Sequence, residues 1–335
     1  MPISNICANI SGCPMKNRKD FVMIPPTSYK KAVILGAAGF IGINLSHALA
    51  QKGYKLICFD QVTTPHWPQK ATPITGDFAT LSAELLQELD HALVFHLISS
   101  SRPSPFTIGA ADEVSRDLVT TIRYLEETRI RNLRWVFLSS GGTVYGQNNG
   151  KTITESEPTN PICSYGVVKL AIEKYFALYQ KLHGIDYVTV RLSNPYGPWQ
   201  HPLRGQGVIS TMLYKALRNE LIEIWGDGSN VRDYIYITDA VHGVLNAAMI
   251  GKSGETYNIG TAFGLSINQL IEIMKKTLNI KPVVRYCAAR SVDVNRNVLN
   301  FMKISAHTGW KPETSIDEGM AMTASWLNQN FEFFK

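Results

Sequence analysis

From Lys31 onward, short apolar runs alternate with amphipathic stretches. "KAVILGA", "KLICFD", "ALVFHLIS", "LRWVFLSS" and "DYVTVRLS" are nearly continuous apolar runs, the pattern of strands buried on both faces. Between them, "FIGINLSHALAQKG", which ends at Gly53, "DLVTTIRYLEETR" and "SYGVVKLAIEKYFALYQKLHG" carry the helical period. This alternation predicts an α/β fold, a Rossmann-type doubly wound parallel sheet covered by helices on both faces. Such a sheet takes its ligands at the carboxyl ends of its strands.

After about Ser193 the pattern changes. Glycine, proline and aromatic residues crowd into "NPYGPWQHPLRGQG" and "IWGDGSNVRDYIY". That composition predicts a smaller, loop-rich C-terminal substrate-binding lobe set over the strand ends. The expected division is a cofactor-binding domain over 31–192 with returning segments near 231–262, and a lobe built from 193–230 and 263–335. Residues 1–30 show no clear period and lack the long apolar core of a secretory signal, so a flexible extension is expected there, with Met15 and Met23 as alternative starts.

Composition narrows the function classes. The 335 residues are 45% hydrophobic and 18% charged, ordinary for a globular protein, and no apolar run approaches the roughly 20 residues of a membrane helix. The net charge of +6 is spread along the chain without a basic block interleaved with aromatics, which argues against nucleic acid as a partner. Cys7, Cys13, Cys58, Cys163 and Cys287 are odd in number, widely spaced and form no CxxC pair. That fits a reducing cytoplasm and argues against a disulfide framework or a zinc site.

The glycines of "VILGAAGFIG" bring in chemistry. Gly36, Gly39 and Gly42 follow the first strand and open a helix. One makes the tight turn, one lets backbone approach a pyrophosphate, and one permits close helix–strand packing, with the helix N-terminus facing the phosphate charge. The second strand ends at Asp60, about 20 residues on, where a carboxylate accepts both ribose hydroxyls. A 2′-phosphate there would meet like charge with no adjacent arginine, so NAD is favoured over NADP. Asp77, in "TGDF", is placed to reach the adenine edge.

Tyr165 and Lys169 stand four apart at the start of a helix, which puts them on one face. A tyrosine of pKa near 10 is a poor base at neutral pH. The lysine and a positive nicotinamide ring would both favour the phenolate, and lowering its pKa by about three units takes roughly 4 kcal/mol.

The motifs "GAAGFIG", Asp60, "SSGGTVYG", "YGVVK", "RLSNPYGP", "WGDGSNVRDYIYITD" and "TGWKPETSIDEGM" follow one another in the order of the extended short-chain dehydrogenases/reductases. From Lys31 to the C-terminus the chain resembles the nucleotide-sugar epimerase branch, of the UDP-glucose 4-epimerase type. The resemblance implies Tyr165 as acid/base and Lys169 as its activator and a ribose contact. It implies Phe40, Ile41, Phe78 and Leu97 beside the cofactor. Asn194, Val208 and the span "IEIWGDG" with Ile224 and Trp225 would line the substrate site. Arg232 and Arg290 would hold the diphosphate, Asp293 the nucleotide ribose, and Asn297 would stand where the family gates bulky 2-N-acetyl groups. A homodimer is also implied.

The family's usual Ser or Thr is replaced here by Gly141. Thr143 is the first choice to supply that hydroxyl and Ser140 the second. Gly142 and Thr143 stand where dehydratases of the family carry an Asp–Glu pair, which disfavours elimination. Asn194 followed by Pro195 looks more like a neutral-hexose enzyme than a uronate one. Two further departures are Asp117, where Asn is usual, and the serines of "HLISSSRPSP", where small alanines are usual. The expected reaction is interconversion of the C4 epimers of a UDP-hexose with NAD retained. The other readings are a nucleotide-sugar reductase or dehydratase of the same fold and a non-catalytic dinucleotide sensor.

Overall fold

The structure, a computed structural model, describes residues 25–101, 109–148, 150–288 and 294–334. β1 (Lys31–Leu35) runs into α1 (Phe40–Gln51), β2 (Lys55–Asp60), β3 (Thr72–Thr75), α2 (Ala83–Leu89) and β4 (Leu93–His96). A helical rod follows in three pieces: α3 (Ala110–Glu113), a π turn (Val114–Val119) and α4 (Thr120–Thr128). Next come β5 (Arg134–Ser140), α5 (Ser164–His183) and β6 (Asp186–Leu192). The chain then leaves this layer through β7 (Asn194–Tyr196), α6 (Val208–Leu217), β8 (Ile222–Trp225) and β9 (Val231–Tyr236), and returns through α7 (Ile237–Met249) and β10 (Thr256–Ile259). β11 (Gly264–Ser266), α8 (Ile267–Thr277), β12 (Val284–Cys287), β13 (Arg296–Asn297), α9 (Met302–Thr308) and α10 (Ile316–Gln329) complete it.

Seven strands pair in the order β10-β6-β5-β4-β1-β2-β3, all parallel. Successive side chains of each strand enter two different cores. Ala32, Ile34, Leu56, Cys58, Phe95, Val136 and Val188 face α1 and α7, while Val33, Leu35, Ile57, Phe59, Val94, Trp135 and Phe137 face α2, α4 and α5. Burial on both faces accounts for the unbroken apolar runs. The expected Rossmann-type α/β architecture is what the chain adopts. β3 has no apolar run to announce it: Thr72 and Pro73 are exposed at the sheet's edge, and only Ile74 is buried.

The later segments build two smaller sheets. β9 is flanked by β11 and β13 and also pairs with β7; β8 pairs with β12. Capping boxes start two of the helices there, Ser266 with Gln269 on α8 and Ser315 with Glu318 on α10. Among the described residues no helix is long and apolar enough to cross a membrane.

Candidate active site

Because the seven strands are parallel, Leu35, Asp60, His96 and Ser140 end on one edge of the sheet. The turn after β1 holds Gly36 at φ +90°, where a side chain would be strained and its Cβ would stand 3.3 Å from both the Leu97 carbonyl carbon and the Ile98 nitrogen. A Cβ on Gly42 would fall 2.3 Å from the Gly36 oxygen, so α1 lies directly on the turn. Gly39 precedes α1 without a side-chain cap, and the first turn, Phe40, Ile41 and Gly42, carries no acidic residue. Its unpaired amides are therefore available to an anion.

Asp60 sits where β2 meets this turn. Its Oδ2 accepts from Ala38 N at 2.9 Å and its Oδ1 from Gln61 N at 2.7 Å. Each carboxylate oxygen keeps a lone pair for a ribose hydroxyl. Asp77 is exposed and caps a 3-10 turn by accepting from Ala79 N at 2.9 Å. Phe78 is buried, its ring stacked on Tyr124 at 4.3 Å. Leu97 pairs its amide with Leu35 O at 2.9 Å beside Gly36. Two contacts had no signal in the sequence: Trp67 Nε1 donates to Ala37 O at 2.8 Å, and Asn44 Nδ2 donates to Pro198 O at 3.0 Å. An uncapped helix N-terminus, a turn with no room for side chains and a strand-end carboxylate together fit a dinucleotide.

Tyr165 and Lys169 lie on one face of α5, the Lys169 ammonium 5.8 Å from the Tyr165 ring centre. Lys169 is buried and donates to Leu138 O at 3.1 Å and Ile98 O at 3.4 Å. Burial pulls its pKa down to about 8, against the pull of Asp117, Glu113 and Glu173. The Tyr165 phenol is raised above its ordinary value, chiefly by burial and further by Asp117, Cys163 and Glu113, with the Ser140 hydrogen bond opposing. Burial thus dominates at the phenol, where a lowering by Lys169 and a nicotinamide ring together was expected.

Ser140, the second candidate, supplies the hydroxyl that hydrogen-bonds Tyr165, whereas Thr143 Oγ1 is buried with no partner among the described residues. Asn194 donates to Asp233 O at 2.9 Å, and a Cβ on Gly142 would sit 3.9 Å from Asn194 Oδ1 and 3.8 Å from Ser140 Oγ. Behind this turn, Arg191 grips Glu173 at 2.6 Å and Tyr145 at 2.9 Å, and Ser139 Oγ donates to Glu173 at 2.5 Å.

Other expected substrate residues scatter. Arg232 is half-buried with Nη1 on Val231 O at 3.0 Å. Val208 is exposed at the start of α6, and Trp225 is exposed on β8. Alternation along β8 turns the Ile224 side chain into the core. Asn297, on β13 beside β9, is fully buried and its Nδ2 donates to Gly141 O at 3.0 Å. Arg290 and Asp293 lie outside the described residues.

Fold and site together define a Rossmann-type dinucleotide-binding protein with a tyrosine–lysine pair at its strand ends. Comparison with known proteins makes this specific. The model of the NAD dependent epimerase/dehydratase family matches residues 32–260, and the chain belongs to that family. A Methanocaldococcus jannaschii protein provisionally named a UDP-glucose 4-epimerase is 32% identical over 303 residues, covering 89% of this chain and 98% of its own. The Thermotoga maritima UDP-glucose 4-epimerase solved with UDP-glucose is similar with a TM-score of 0.84 at 27% identity, covering 90% of this chain and 99% of that one. The Bacillus cereus UDP-glucuronic acid 4-epimerase, solved with UDP-glucuronic acid and NAD, is similar with a TM-score of 0.80 at 25% identity over 89% of this chain and 99% of that one. The protein is therefore an NAD-dependent enzyme of the epimerase/dehydratase family.

Proposed function

We propose that this enzyme is a 4-epimerase of a UDP-hexose, interconverting UDP-glucose and UDP-galactose or their 2-N-acetyl counterparts through a transient 4-keto sugar. The observation that carries the reading is the meeting of Tyr165, Ser140 and Lys169 at the end of β5 beside the glycine turn. The UDP-sugar epimerases among its relatives support it.

The amides at the start of α1 would hold the cofactor's diphosphate, Asp60 its ribose and Asp77 its adenine edge. Tyr165 and Lys169 would lie at the nicotinamide end. When bound there, NAD would supply reversible hydride acceptance at the sugar C4. Tyr165 Oη takes the proton of the sugar 4-hydroxyl and later gives it back, with Ser140 Oγ orienting both oxygens. Arg232 and Arg290 are the proposed grip on the nucleotide's diphosphate and Asp293 on its ribose, with Asn194 beside the substrate and Thr143 the second hydroxyl facing the sugar. Binding energy from the remote nucleotide holds the substrate while the sugar turns.

The test is incubation with UDP-glucose, UDP-N-acetylglucosamine and UDP-glucuronic acid in turn, without added cofactor, and separation of the C4 epimers. Epimers should form with no net change in nicotinamide absorbance. A net change, or loss of water from the sugar, would mark a reductase or a dehydratase instead. Tyr165→Phe should keep the fold and lose about 10²- to 10⁴-fold in kcat. A homodimer is proposed from the outer face of α5, where Val167, Leu178 and Leu182 are exposed, alongside Val114 and Val119 of the preceding rod. A cytoplasmic location is proposed from the cysteines, with Cys58, Cys163 and Cys287 unbridged.

A further inference from the structure

Two carboxylates that the proposed reaction does not use are buried behind the tyrosine–lysine pair. Glu113 and Asp117 are 0% and 3% exposed and stand one turn apart across the π turn. π turns are rare and recur at functional sites. Glu113 accepts from the Ser101 hydroxyl and from Ser164 Oγ at 2.6 Å. Asp117 accepts from Ser99 Oγ at 3.1 Å and from Ser100 N at 2.9 and 3.0 Å. The pair therefore ties residues 99–101, just past β4, to Ser164, the neighbour of Tyr165. Ile98, at the head of the same segment, gives its carbonyl to Lys169.

Burying two carboxylates is costly unless a positive charge answers them. Among the described residues, the charged and titratable groups facing this interior are few. Glu173 on α5 is held by Arg191, and Cys163 precedes the helix. His96 on β4 is neutral, since burial and Lys169 push its pKa down to about 3. Among the described residues, the Lys169 ammonium is the charge that answers Asp117 and Glu113.

We propose that Asp117, with Glu113 beside it, is a positioning residue for Tyr165 and Lys169: it fixes the segment whose carbonyl seats Lys169 and supplies the negative charge that balances its ammonium. The inference rests on the roles given to Tyr165 and Lys169 above. In its support, Asp117 is the strongest of the groups that oppose the fall in the Lys169 pKa, ahead of Glu113 and Glu173. It also leads the charged groups that raise the Tyr165 phenol.

Asp117→Asn keeps the size and removes the charge. The purified protein carrying 13Cε-labelled lysine allows a direct reading, with the Lys169 resonance assigned by its loss in Lys169→Met. In the native chain this signal should titrate near pH 8. In Asp117→Asn the midpoint should fall by about one pH unit. Ser99→Ala, which removes a hydrogen bond but no charge, should leave it unmoved. With an epimerised substrate in hand, both limbs of the kcat/KM profile should shift to lower pH in Asp117→Asn. An unmoved midpoint in folded Asp117→Asn overturns the proposal. If that variant does not fold, Glu113→Gln is read in the same titration, and no shift there overturns it equally. Because the resonance needs no turnover, failure of every UDP-sugar would sink the proposed function and still leave this inference decided.

Discussion

Gly141 has no room for a side chain. A Cβ there would stand 2.4 Å from Leu299 Cδ1 and 3.2 Å from Arg191 O. A hydroxyl at this position needs Leu299 elsewhere, and the neighbouring Ser140 reaches Tyr165 instead. Gly141→Ser should therefore destabilise the fold by about 1–3 kcal/mol through overpacking, measured by urea unfolding. Adding Leu299→Ala should recover part of that loss, so the two costs should not add. Ser140→Ala should cut kcat by about ten- to a hundredfold through the lost hydrogen bond to the ionised phenol. The motif "SSGGTVYG" showed that a hydroxyl had moved, but not where. The order Thr143 before Ser140 came from the family resemblance, whereas the room at Gly141 is set by Leu299, far along the chain. The same limit applies to Asn297, whose burial depends on strand pairing between β13 and β9.

α5 carries the proposed chemistry because its period of 3.6 places Tyr165, Lys169 and Glu173 on one face toward β5. Its length and its end were legible: the apolar period runs from Ser164 and stops at Gly184, which takes φ +65°. Its buried charges were not, since periodicity alone cannot tell a lysine beneath a cleft from one in solvent. The Glu173–Arg191 pair, 6% and 7% exposed, clamps the helix to β6 and, through Ser139, to β5. Arg191→Met should cost about 3–5 kcal/mol by stranding the carboxylate, whereas Arg191→Met with Glu173→Met should restore much of it. Thermal unfolding of the two variants checks the difference. The rod before β5 was foreseen as a helix from "DLVTTIRYLEETR", but its π turn breaks the 3.6 period that foretold it, so the inward facing of both Glu113 and Asp117 was invisible.

At the scale of the whole molecule, Asp233 joins the layers. Its carboxylate accepts from Thr261 N at 3.0 Å and Thr261 Oγ1 at 2.7 Å just past β10, and from Leu299 N at 3.1 Å. Burial outweighs these bonds and raises its pKa to about 6. The folded chain then keeps a proton that the unfolded chain releases nearer pH 4, so this group's contribution is full below the unfolded pKa and is lost as pH rises through about 6. Relative to Asp233→Asn, the native chain should lose about 3 kcal/mol between pH 4 and 7, read from urea midpoints across that range. The parallel sheet was legible from the apolar runs. The grouping of β7, β9, β11 and β13 was not, because those strands are short and their pairing is set by distant partners.

The order of the large sheet also governs how the protein must be made. β6 is buried along its whole length, and its outer edge is covered only by β10. A ribosome delivers everything from β7 to α7 before it delivers Thr256–Ile259. At about 5–20 residues per second the growing chain spends several seconds with a bare, apolar strand edge of the kind on which chains aggregate. A gene truncated before β10 should yield inclusion bodies, and a holdase that recognises extended apolar segments should find its target in β6 during synthesis.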